Sequence, residues 1–407
     1  MMITKRYGVA DPQILASLEN FDDDILCEIL TRVPARLLVR SCKFVCKRWL
    51  SLIRSPHFLE LHRIRSQTRR PSLIFSSTTT DYIIYTTTTE FFSVEESLFE
   101  DSRALNATPL MTPTMEECML VSSSGLLFCL IDSLVHNVRI YNPCTGEITA
   151  SIGKTNPIEG QSYFVAATYG FGFHPSSKKH KLVRVWDIRT LRNGRLAVAE
   201  VLTVGEDDTW RKINEVPPFI SETPAVSLNG SIYWISSSAS TVGKYKALVA
   251  FDMESEIFRE ISIPKSLLEE TKKIKLLEVD GCVAIFQKIS EFEVKFWIFN
   301  GNWTEEIISM PIDWDSSSID IYQTIQQLPG TDIIIIKAKR TRDDAERHLV
   351  SVYQYDITKK TFDKVKIIGL PTRSFSPGRT GLLTRLIDYG FFTMFDSLYP
   401  VRKQHQS

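Results

Sequence analysis

The side chains best suited to metal binding or nucleophilic chemistry are seven cysteines and seven histidines, scattered along the chain. Cys42 and Cys46 stand four residues apart in a helical pattern, but no histidine follows at the spacing of a zinc finger. Most of the cysteines lie in apolar runs, where a thiol behaves as a small hydrophobic side chain. The sequence therefore predicts no metal site, no cofactor, and a protein of a reducing compartment, the cytoplasm or the nucleus.

Sequence motifs of catalysis are also missing. The chain has no G-x-S-x-G elbow, no H-E-x-x-H and no phosphate-binding loop. Gly170-Phe171-Gly172 lacks the third glycine of a dinucleotide-binding fingerprint, and we expect it at a bulge or turn between strands. We expect no catalytic residues, although an enzyme whose site is assembled from distant residues stays open as an alternative.

A group of basic residues raises the question of nucleic-acid binding. Arg36, Arg40, Lys43 and Lys47 recur at helical spacing, as on a nucleic-acid-binding helix. Such a face is more often solvated, and the formal net charge of the chain is zero. No apolar run is long enough to cross a bilayer, and the N-terminus lacks the apolar core of a signal peptide. Neither nucleic acid nor membrane is therefore an expected partner.

The elements that carry these basic residues form a short helical module. An acidic opening precedes Ile25, Leu26, Ile29, Leu30 and Val33, whose spacing predicts an amphipathic helix that ends at Pro34. A second periodic run, Leu38, Cys42, Val45, Trp49 and Ile53, predicts another helix, which Ser55-Pro56 breaks before a third. Three short helices bury too little surface to be comfortable alone, so we expect this module to complete its core on a partner.

The order I-L-x-E-I-L-x-R-V-P, V-C-K-x-W, S-P-x-F resembles an F-box, the motif by which substrate receptors of cullin-based ubiquitin ligases dock on a Skp-type adaptor. The resemblance implies this adaptor as a partner and, through it, cullin and RING subunits. One departure is that Phe21-Asp22 stands where the family usually has Leu-Pro. A plain helical cap on the next domain is the alternative. The expected adaptor-binding residues form an apolar edge: Phe21, Ile25, Ile29, Val33, Pro34 and Leu37.

Beyond residue 71 the helical period gives way to short strand patterns bounded by turn residues. An apolar strand, a tight turn and a second strand recur, with Ile148, Trp210, Phe258, Trp303 and Phe362 as equivalent positions 62, 48, 45 and 59 residues apart. Such periods are typical of four-stranded propeller blades. With a weaker unit at 72–94, this predicts six blades, and two β-sandwiches are the alternative.

The same region is similar to the F-box-associated interaction domain of plant F-box proteins. The similarity rests on SSSGLLFCL (122–130), YNPCTGEI (141–148), TYGFGFHPSSKKHKLVRV (168–185), TPAVSLNGSIYWI (223–235) and LVAFDMESEIFREI (248–261). It implies a kelch-like propeller that acts as a substrate receptor, although the double glycine of true kelch repeats is absent.

Loop lengths suggest where a substrate would bind. The connection after each aromatic turn strand is short, whereas the preceding connections, 132–137, 187–195, 236–246, 287–294 and 338–348, read as long. Alternate hairpins open on opposite faces of a blade, so we expect the long loops on one face, where recognition usually occurs. The residues expected to contact an unidentified protein substrate are Arg189, Arg192, Lys244, Lys246, Arg340, Arg342 and Arg347.

Together these patterns predict a mainly β protein, a six-bladed kelch-like β-propeller preceded by a small three-helix F-box domain. The expected function is the substrate-recognition subunit of a Skp–cullin–F-box ubiquitin ligase. A Skp-bound scaffold without ubiquitination output and a nucleic-acid-binding propeller are the alternatives. The expected division of the chain is an N-terminal tail at 1–17, the F-box at 18–62, a basic linker at 63–71, the propeller at 72–385 and a C-terminal tail at 386–407.

Overall fold

The fold is taken from a computed structural model of the chain. The structure describes residues 21–69, 71–81, 86–94, 104–110, 115–116, 118–123, 125–132, 136–153, 162–190, 195–218, 224–240, 243–268, 274–290, 292–311, 325–337, 349–370 and 385–401.

The helical module that resembles an F-box, called the F-box from here on, is a compact group of short helices with one apolar core. Its elements are α1 (Asp23–Leu30), α2 (Ala35–Arg40), a 3-10 helix (Cys42–Phe44), α3 (Lys47–Arg54) and α4 (Pro56–Gln67). The core contains Leu26, Leu30, Ala35, Leu38, Trp49, Ile53 and Phe58. Because α4 continues to Gln67, residues 63–67 belong to the helical module and not to the linker expected there.

The second periodic run is not one helix, as its spacing predicted. Helix α2 ends at Arg40, and α3 starts only at Lys47, after the extended residue Cys46 with φ of −157°. The thiol of Cys46 accepts a hydrogen bond from the Trp49 N–H at 3.5 Å and so caps α3. This break shifts the helical phase, and Val45 points outward with 44% exposure while Trp49 remains buried.

The rest of the described chain forms six sheets and a four-residue helix, α5 (Lys265–Leu268). Blade 1 contains β1 (Ser72–Asp81), β2 (Thr86–Val94), β4 (Thr108–Pro109), β5 (Met115–Glu116) and β26 (Arg385–Met394). Blade 2 contains β6 (Cys118–Ser123), β7 (Phe128–Asp132), β8 (Val138–Asn142) and β9 (Glu147–Ile148). Blade 3 contains β10 (Ser162–His174), β11 (Lys179–Thr190), β12 (Arg195–Thr203) and β13 (Arg211–Lys212).

The remaining three blades follow the same antiparallel order. Blade 4 contains β14 (Val226–Leu228), β15 (Ser231–Ser240), β16 (Gly243–Asp252) and β17 (Ile257–Ser262). Blade 5 contains β18 (Ile274–Val279), β19 (Cys282–Lys288), β20 (Glu293–Asn300) and β21 (Asn302–Ser309). Blade 6 contains β22 (Ile325–Gln327), β23 (Ile333–Lys337), β24 (Leu349–Asp356), β25 (Thr361–Ile368) and β3 (Ala104–Asn106).

The ring is closed by strands from both ends of the propeller. The first strands of neighbouring blades contact one another in the order β6, β10, β14, β18, β22, β26 and back to β6. Strand β26 pairs with β1, and β3 pairs in parallel with β25. Residues 386–394 are therefore the inner strand of blade 1, which corrects the expected tail at 386–407. The six-bladed β-propeller itself is confirmed.

In blades 4 to 6 the repeated sequence signature is explained by one pair of aromatic side chains in each blade. Phe258, Trp303 and Phe362 each occupy the second position of an outer strand and lie directly opposite an aromatic residue on the preceding strand. The ring centroids are 4.8 Å apart for Phe251–Phe258 and 4.6 Å apart for Tyr355–Phe362. Such cross-strand pairs stabilise each outer hairpin, which is why the pattern recurs.

Gly170-Phe171-Gly172 lies inside β10 and not at the bulge or turn that the sequence suggested. A Cβ atom on Gly170 would collide with the side chains of Trp234 and Ile232 from blade 4. The glycine therefore lets two blades approach closely, and the buried Trp234 has a packing role.

The expected contrast in loop length is mostly wrong. Strands β15 and β16 reach Ser240 and Gly243, so 236–246 is a paired hairpin and not a long loop. Likewise β11 and β12 run to Thr190 and from Arg195. The ladder hydrogen bonds continue through these polar residues because strand pairing does not require apolar side chains at a hairpin's tip. The connection 338–348, between β23 and β24, lies outside the described residues.

Candidate functional site

The F-box lies against one face of the propeller. This face, which we call the near face, carries the turns at 143–146 in blade 2 and 175–178 in blade 3, and residues 395–401 leave β26 across it. Cys144 packs against the F-box core, and Lys178 Nζ lies 3.1 Å from Glu60 Oε1 of α4. The connections β7–β8, β11–β12, β15–β16, β19–β20 and β23–β24 open on the opposite, far face.

A carboxylate from the C-terminal segment caps an F-box helix. Helix α2 follows Pro34, whose side chain cannot accept a hydrogen bond, so its first N–H groups need another acceptor. Asp396 Oδ2 accepts from the Ala35 N–H at 2.8 Å. The same oxygen lies 3.6 Å from Nε2 of the buried His62, which is 3.2 Å from the Val33 carbonyl oxygen. Burial lowers the pKa of His62, an effect that the Asp396 charge opposes.

The neighbours of Asp396 complete the attachment. Leu398 is 8% exposed and belongs to the apolar core of the F-box. The side-chain amide of Asn142 donates to the carbonyl oxygens of Ser397 at 3.0 Å and Tyr399 at 2.9 Å. The Tyr399 hydroxyl donates to the carbonyl oxygen of Lys178. Residues 395–401, which we call the C-terminal clasp, therefore bind both the F-box and the near face.

An ion-pair network adds to this junction. Arg63 donates to Glu60 through Nε and Nη2, both at 2.9 Å. These hydrogen bonds, helped by Lys178, lower the pKa of Glu60 to about 2. The Arg63 guanidinium also stacks over the Phe173 ring of blade 3, at 5.3 Å from its centroid.

A buried histidine lies beside the same junction. His180 packs among Phe171, Phe173 and Tyr399, with ring centroids 5.5, 4.9 and 4.5 Å away. Within the described residues neither of its ring nitrogens has a hydrogen-bond partner. Burial, and then the charge of Arg63, lower the pKa of His180 to about 3, so the ring is neutral near pH 7.

The outer side of the F-box exposes large apolar side chains. Ile25 and Ile29 lie on one face of α1, and Phe21 precedes the helix; their exposures are 47%, 40% and 38%. Leu37 on α2 is 48% exposed, and Pro34 between the helices is exposed as well. Val33 differs, because it is half-buried against the F-box core. Exposed apolar patches of this kind mark protein-interaction sites.

Two further residues belong with this group but were not among the predicted contacts. Phe44 is 73% exposed and Val45 is 44% exposed. The sequence assigned Val45 to the buried stripe, and only the helix break at 41–46 turns it outward. Their adjacency to Cys46 in the V-C-K-x-W motif was the available signal. We call Phe21, Ile25, Ile29, Leu37, Phe44 and Val45 the F-box apolar surface.

Polar contacts fix the start of this surface. The Asp22 carboxylate accepts from the Asp23 N–H at 2.7 Å and caps α1. Arg48 of α3 donates from Nη2 to the Phe21 carbonyl oxygen at 2.6 Å and forms an ion pair with Asp23 at 2.7 Å. Phe21 is thus held in place although the following position is not proline.

The predicted substrate contacts are only partly described. Arg189 lies near the end of β11, and Lys244 and Lys246 lie in β16, all at the far-face ends of their strands. Their side chains, and the predicted contacts Arg192, Arg340, Arg342 and Arg347, lie outside what the structure describes. In the described part of the chain no group of three or more His, Cys, Asp or Glu residues is placed to hold a metal ion. None of the described helices is long and apolar enough to cross a membrane.

The structure is thus a helical module docked on a six-bladed propeller, with an exposed apolar surface of the kind found at protein-interaction sites. Comparison with known proteins identifies both parts. Residues 18–61 match the F-box domain model, and residues 72–394 match the model of the F-box associated beta propeller domain. The chain belongs to the family of F-box proteins with an F-box-associated β-propeller.

Similar proteins agree with this assignment. The F-box protein DOR of Arabidopsis thaliana is 25% identical, over 89% of this chain and 92% of that protein. A second Arabidopsis thaliana protein, also named as an F-box protein, is 27% identical over 84% of this chain and 80% of its own length. Among solved structures, the β-propeller domain of the Trilobed protease from Pyrococcus furiosus covers 73% of this chain and 92% of its own, with a TM-score of 0.36 and 12% identity. A likeness this weak carries no argument.

Proposed function

We propose that this protein is the substrate-recognition subunit of a Skp–cullin–F-box ubiquitin ligase. The observation that carries the proposal is the F-box apolar surface, because it lies on a module whose family docks on a Skp-type adaptor. Cullin and RING subunits would then be bound through the adaptor. The protein is not expected to contribute catalytic residues, because F-box proteins generally act as adaptors and substrate receptors.

The substrate is expected on the far face. The F-box covers the near face at blades 2 and 3, whereas the far face carries hairpin tips directed away from the F-box. This placement supports the predicted contacts at Arg189, Arg192, Lys244, Lys246, Arg340, Arg342 and Arg347 better than loop length does. A substrate held there has its lysines kept at high effective concentration near the ubiquitin-charged partner, which accelerates transfer by proximity.

The adaptor contact is tested by Ile29→Asp in the full-length protein. A carboxylate at this position would be buried against the adaptor without a partner, so we expect adaptor binding to be lost. The matched control is Ile257→Asp, since Ile257 is 42% exposed on blade 4. Pull-down with purified adaptor and calorimetry measure the result. Full adaptor binding by the Ile29→Asp protein would refute the proposed function.

Ubiquitination output is tested separately. The full-length protein, purified with adaptor, cullin and RING subunits, should promote ubiquitin transfer to a protein that it captures from cells. The same complex containing Ile29→Asp should not. A stable complex that captures targets without modifying them would instead indicate a scaffold.

A further inference from the structure

The seam between the F-box and blades 1 and 2 contains a groove of about 340 Å³. One wall comes from α2 and the 3-10 helix, and the other comes from the end of β4 and the near-face turn of blade 2. The lining residues are Arg36, Val39, Arg40, Lys43, Phe44, Leu110, Pro143, Cys144, Thr145 and Gly146.

The groove is positively charged. Arg36, Arg40 and Lys43 all come from the F-box wall, and the lining residues include no carboxylate. The nearby carboxylate of Asp396 accepts a hydrogen bond from the Ala35 N–H at the N-terminus of α2. These are three of the four basic residues that the sequence places at helical spacing, and the basic face therefore borders the groove, with Arg36 and Arg40 still exposed to solvent.

The groove is also apolar. Its lining includes the apolar side chains of Phe44, Val39, Leu110 and Pro143. Lys43 Nζ lies 5.0 Å from the centroid of the Phe44 ring. A cation and an exposed aromatic ring side by side suit a peptide that carries carboxylates next to apolar side chains. A single-stranded nucleic acid could stack a base on Phe44, but it would leave the apolar side chains of Val39, Leu110 and Pro143 without an apolar partner.

The position of the groove indicates which protein supplies that peptide. Phe44 belongs both to the groove and to the F-box apolar surface, and Leu37 of that surface is next to Arg36 on α2. A partner seated on the apolar surface therefore reaches the groove without leaving the F-box. The far face, where the substrate is expected, opens on the other side of the propeller.

We propose that an acidic segment of the Skp-type adaptor enters this groove and contacts the propeller at 143–146, so that the adaptor binds both the F-box and the propeller. This inference rests on the proposed function, since it takes the adaptor as the protein bound to the F-box apolar surface. It adds a contact to the propeller and an electrostatic component to adaptor binding.

The propeller contact is tested by site-specific photo-crosslinking. The turn at 253–256 in blade 4 is a matched control, because Asp252 Oδ1 accepts from the Ser255 N–H just as Asn142 Oδ1 accepts from the Thr145 N–H. A photoreactive residue at position 145 of the full-length protein should crosslink to purified adaptor, and one at position 255 should not. Equal crosslinking at both positions, or none at position 145, would overturn the proposal.

The charge contribution is tested by neutralising the groove. Arg36→Gln with Lys43→Gln should weaken adaptor binding by about threefold to tenfold at low salt, because exposed ion pairs contribute little each. The loss should shrink at about 0.5 M salt, where such attractions are screened. Lys47→Gln with Arg54→Gln, on the exposed side of α3, is the control pair and should leave affinity unchanged.

The outcomes separate this inference from the function on which it rests. If Ile29→Asp abolishes adaptor binding but the groove variants and position 145 have no effect, the groove inference alone is wrong. If wild-type protein does not bind the adaptor, the proposed function fails as well. Salt-sensitive binding of RNA that Arg36→Gln with Lys43→Gln removes, with adaptor affinity unchanged, would assign the groove to nucleic acid and also overturn the inference.

Discussion

The C-terminal clasp offers a direct test of how the F-box is held on the propeller. Leu398 is 8% exposed and packs in a core otherwise built from F-box residues and Cys144. Leu398→Ala should lower the stability of the docked F-box by about 2–3 kcal/mol. This is the lower part of the range for buried leucines, because the residue lies at the edge of its cluster. The loss should appear as easier opening of the F-box and not as unfolding of the propeller.

Amide hydrogen exchange measured by mass spectrometry would show this. A local loss of about 2 kcal/mol should accelerate exchange of the protected amides in α2 to α4 by about thirtyfold. Amides in blades 4 and 5 should be unaffected. Leu196→Ala is the matched control, because Leu196 is 43% exposed on β12 of blade 3.

The carboxylate of the clasp can be tested in the same assay. Asp396→Ala removes the acceptor for the Ala35 N–H and should cost about 1 kcal/mol, as losing a helix cap does, whereas Asp396→Asn keeps an acceptor and should cost less. Unchanged exchange in the F-box after Leu398→Ala, or a uniform increase over the whole protein, would refute the idea that the clasp acts locally.

Three other predictions concern separate parts of the chain. Asp22→Pro should tighten adaptor binding by about 0.4–1 kcal/mol in calorimetry, since a φ of −62° already suits proline; weaker binding would show that the Asp22 cap matters more. The free energy of unfolding of the wild-type protein should fall by about 1.4 kcal/mol between about pH 7.5 and pH 5.5 through His180 alone. The pKa of His180 in the folded protein, about 3, lies below its value in the unfolded chain, so only the unfolded chain gains the proton in this range. Denaturation of His180→Phe at the two pH values should lack that fall. Replacing Lys339–Arg347 with a short Gly-Ser turn should stop target ubiquitination and spare adaptor binding, with Lys359→Ser in the near-face turn between β24 and β25 as the comparison for target binding.

The blade count could be predicted because each outer hairpin is a local structure. Pairs such as Phe251 and Phe258 lie within one hairpin, so the pattern that makes them pack is readable in a short stretch of sequence. The F-box was readable for the same reason, since the apolar spacing of Ile25 and Ile29 with their acidic neighbours specifies a helix and its exposed face.

Long-range features could not be predicted. Strand β26 pairs with β1, more than three hundred positions away, and nothing in RLIDYGFFTM distinguishes an inner strand from a tail. The bond between Asp396 and the Ala35 N–H also joins distant parts of the chain, and Pro34 gave no sign that its helix is capped from elsewhere. Hairpin tips such as 236–246 were mistaken for loops because their residues are polar, although backbone pairing continues through them.

The two sides of α2 connect these findings to function. Ala35 and Leu38 face the core that Leu398 completes, while Leu37 faces outward, on the side where we propose that the adaptor binds. The sequence predicted that so small a module needs a partner to complete its core, and the structure shows that the propeller's own C-terminal clasp supplies part of that partner. Because Asp396 and Leu398 follow directly from the inner strand of blade 1, the orientation of α2 is set by the closed ring. An adaptor docked on Leu37 is then held in a fixed direction relative to the far face. A receptor that works by proximity depends on this fixed geometry, since a loose joint would spread the target over a larger volume and lower its effective concentration.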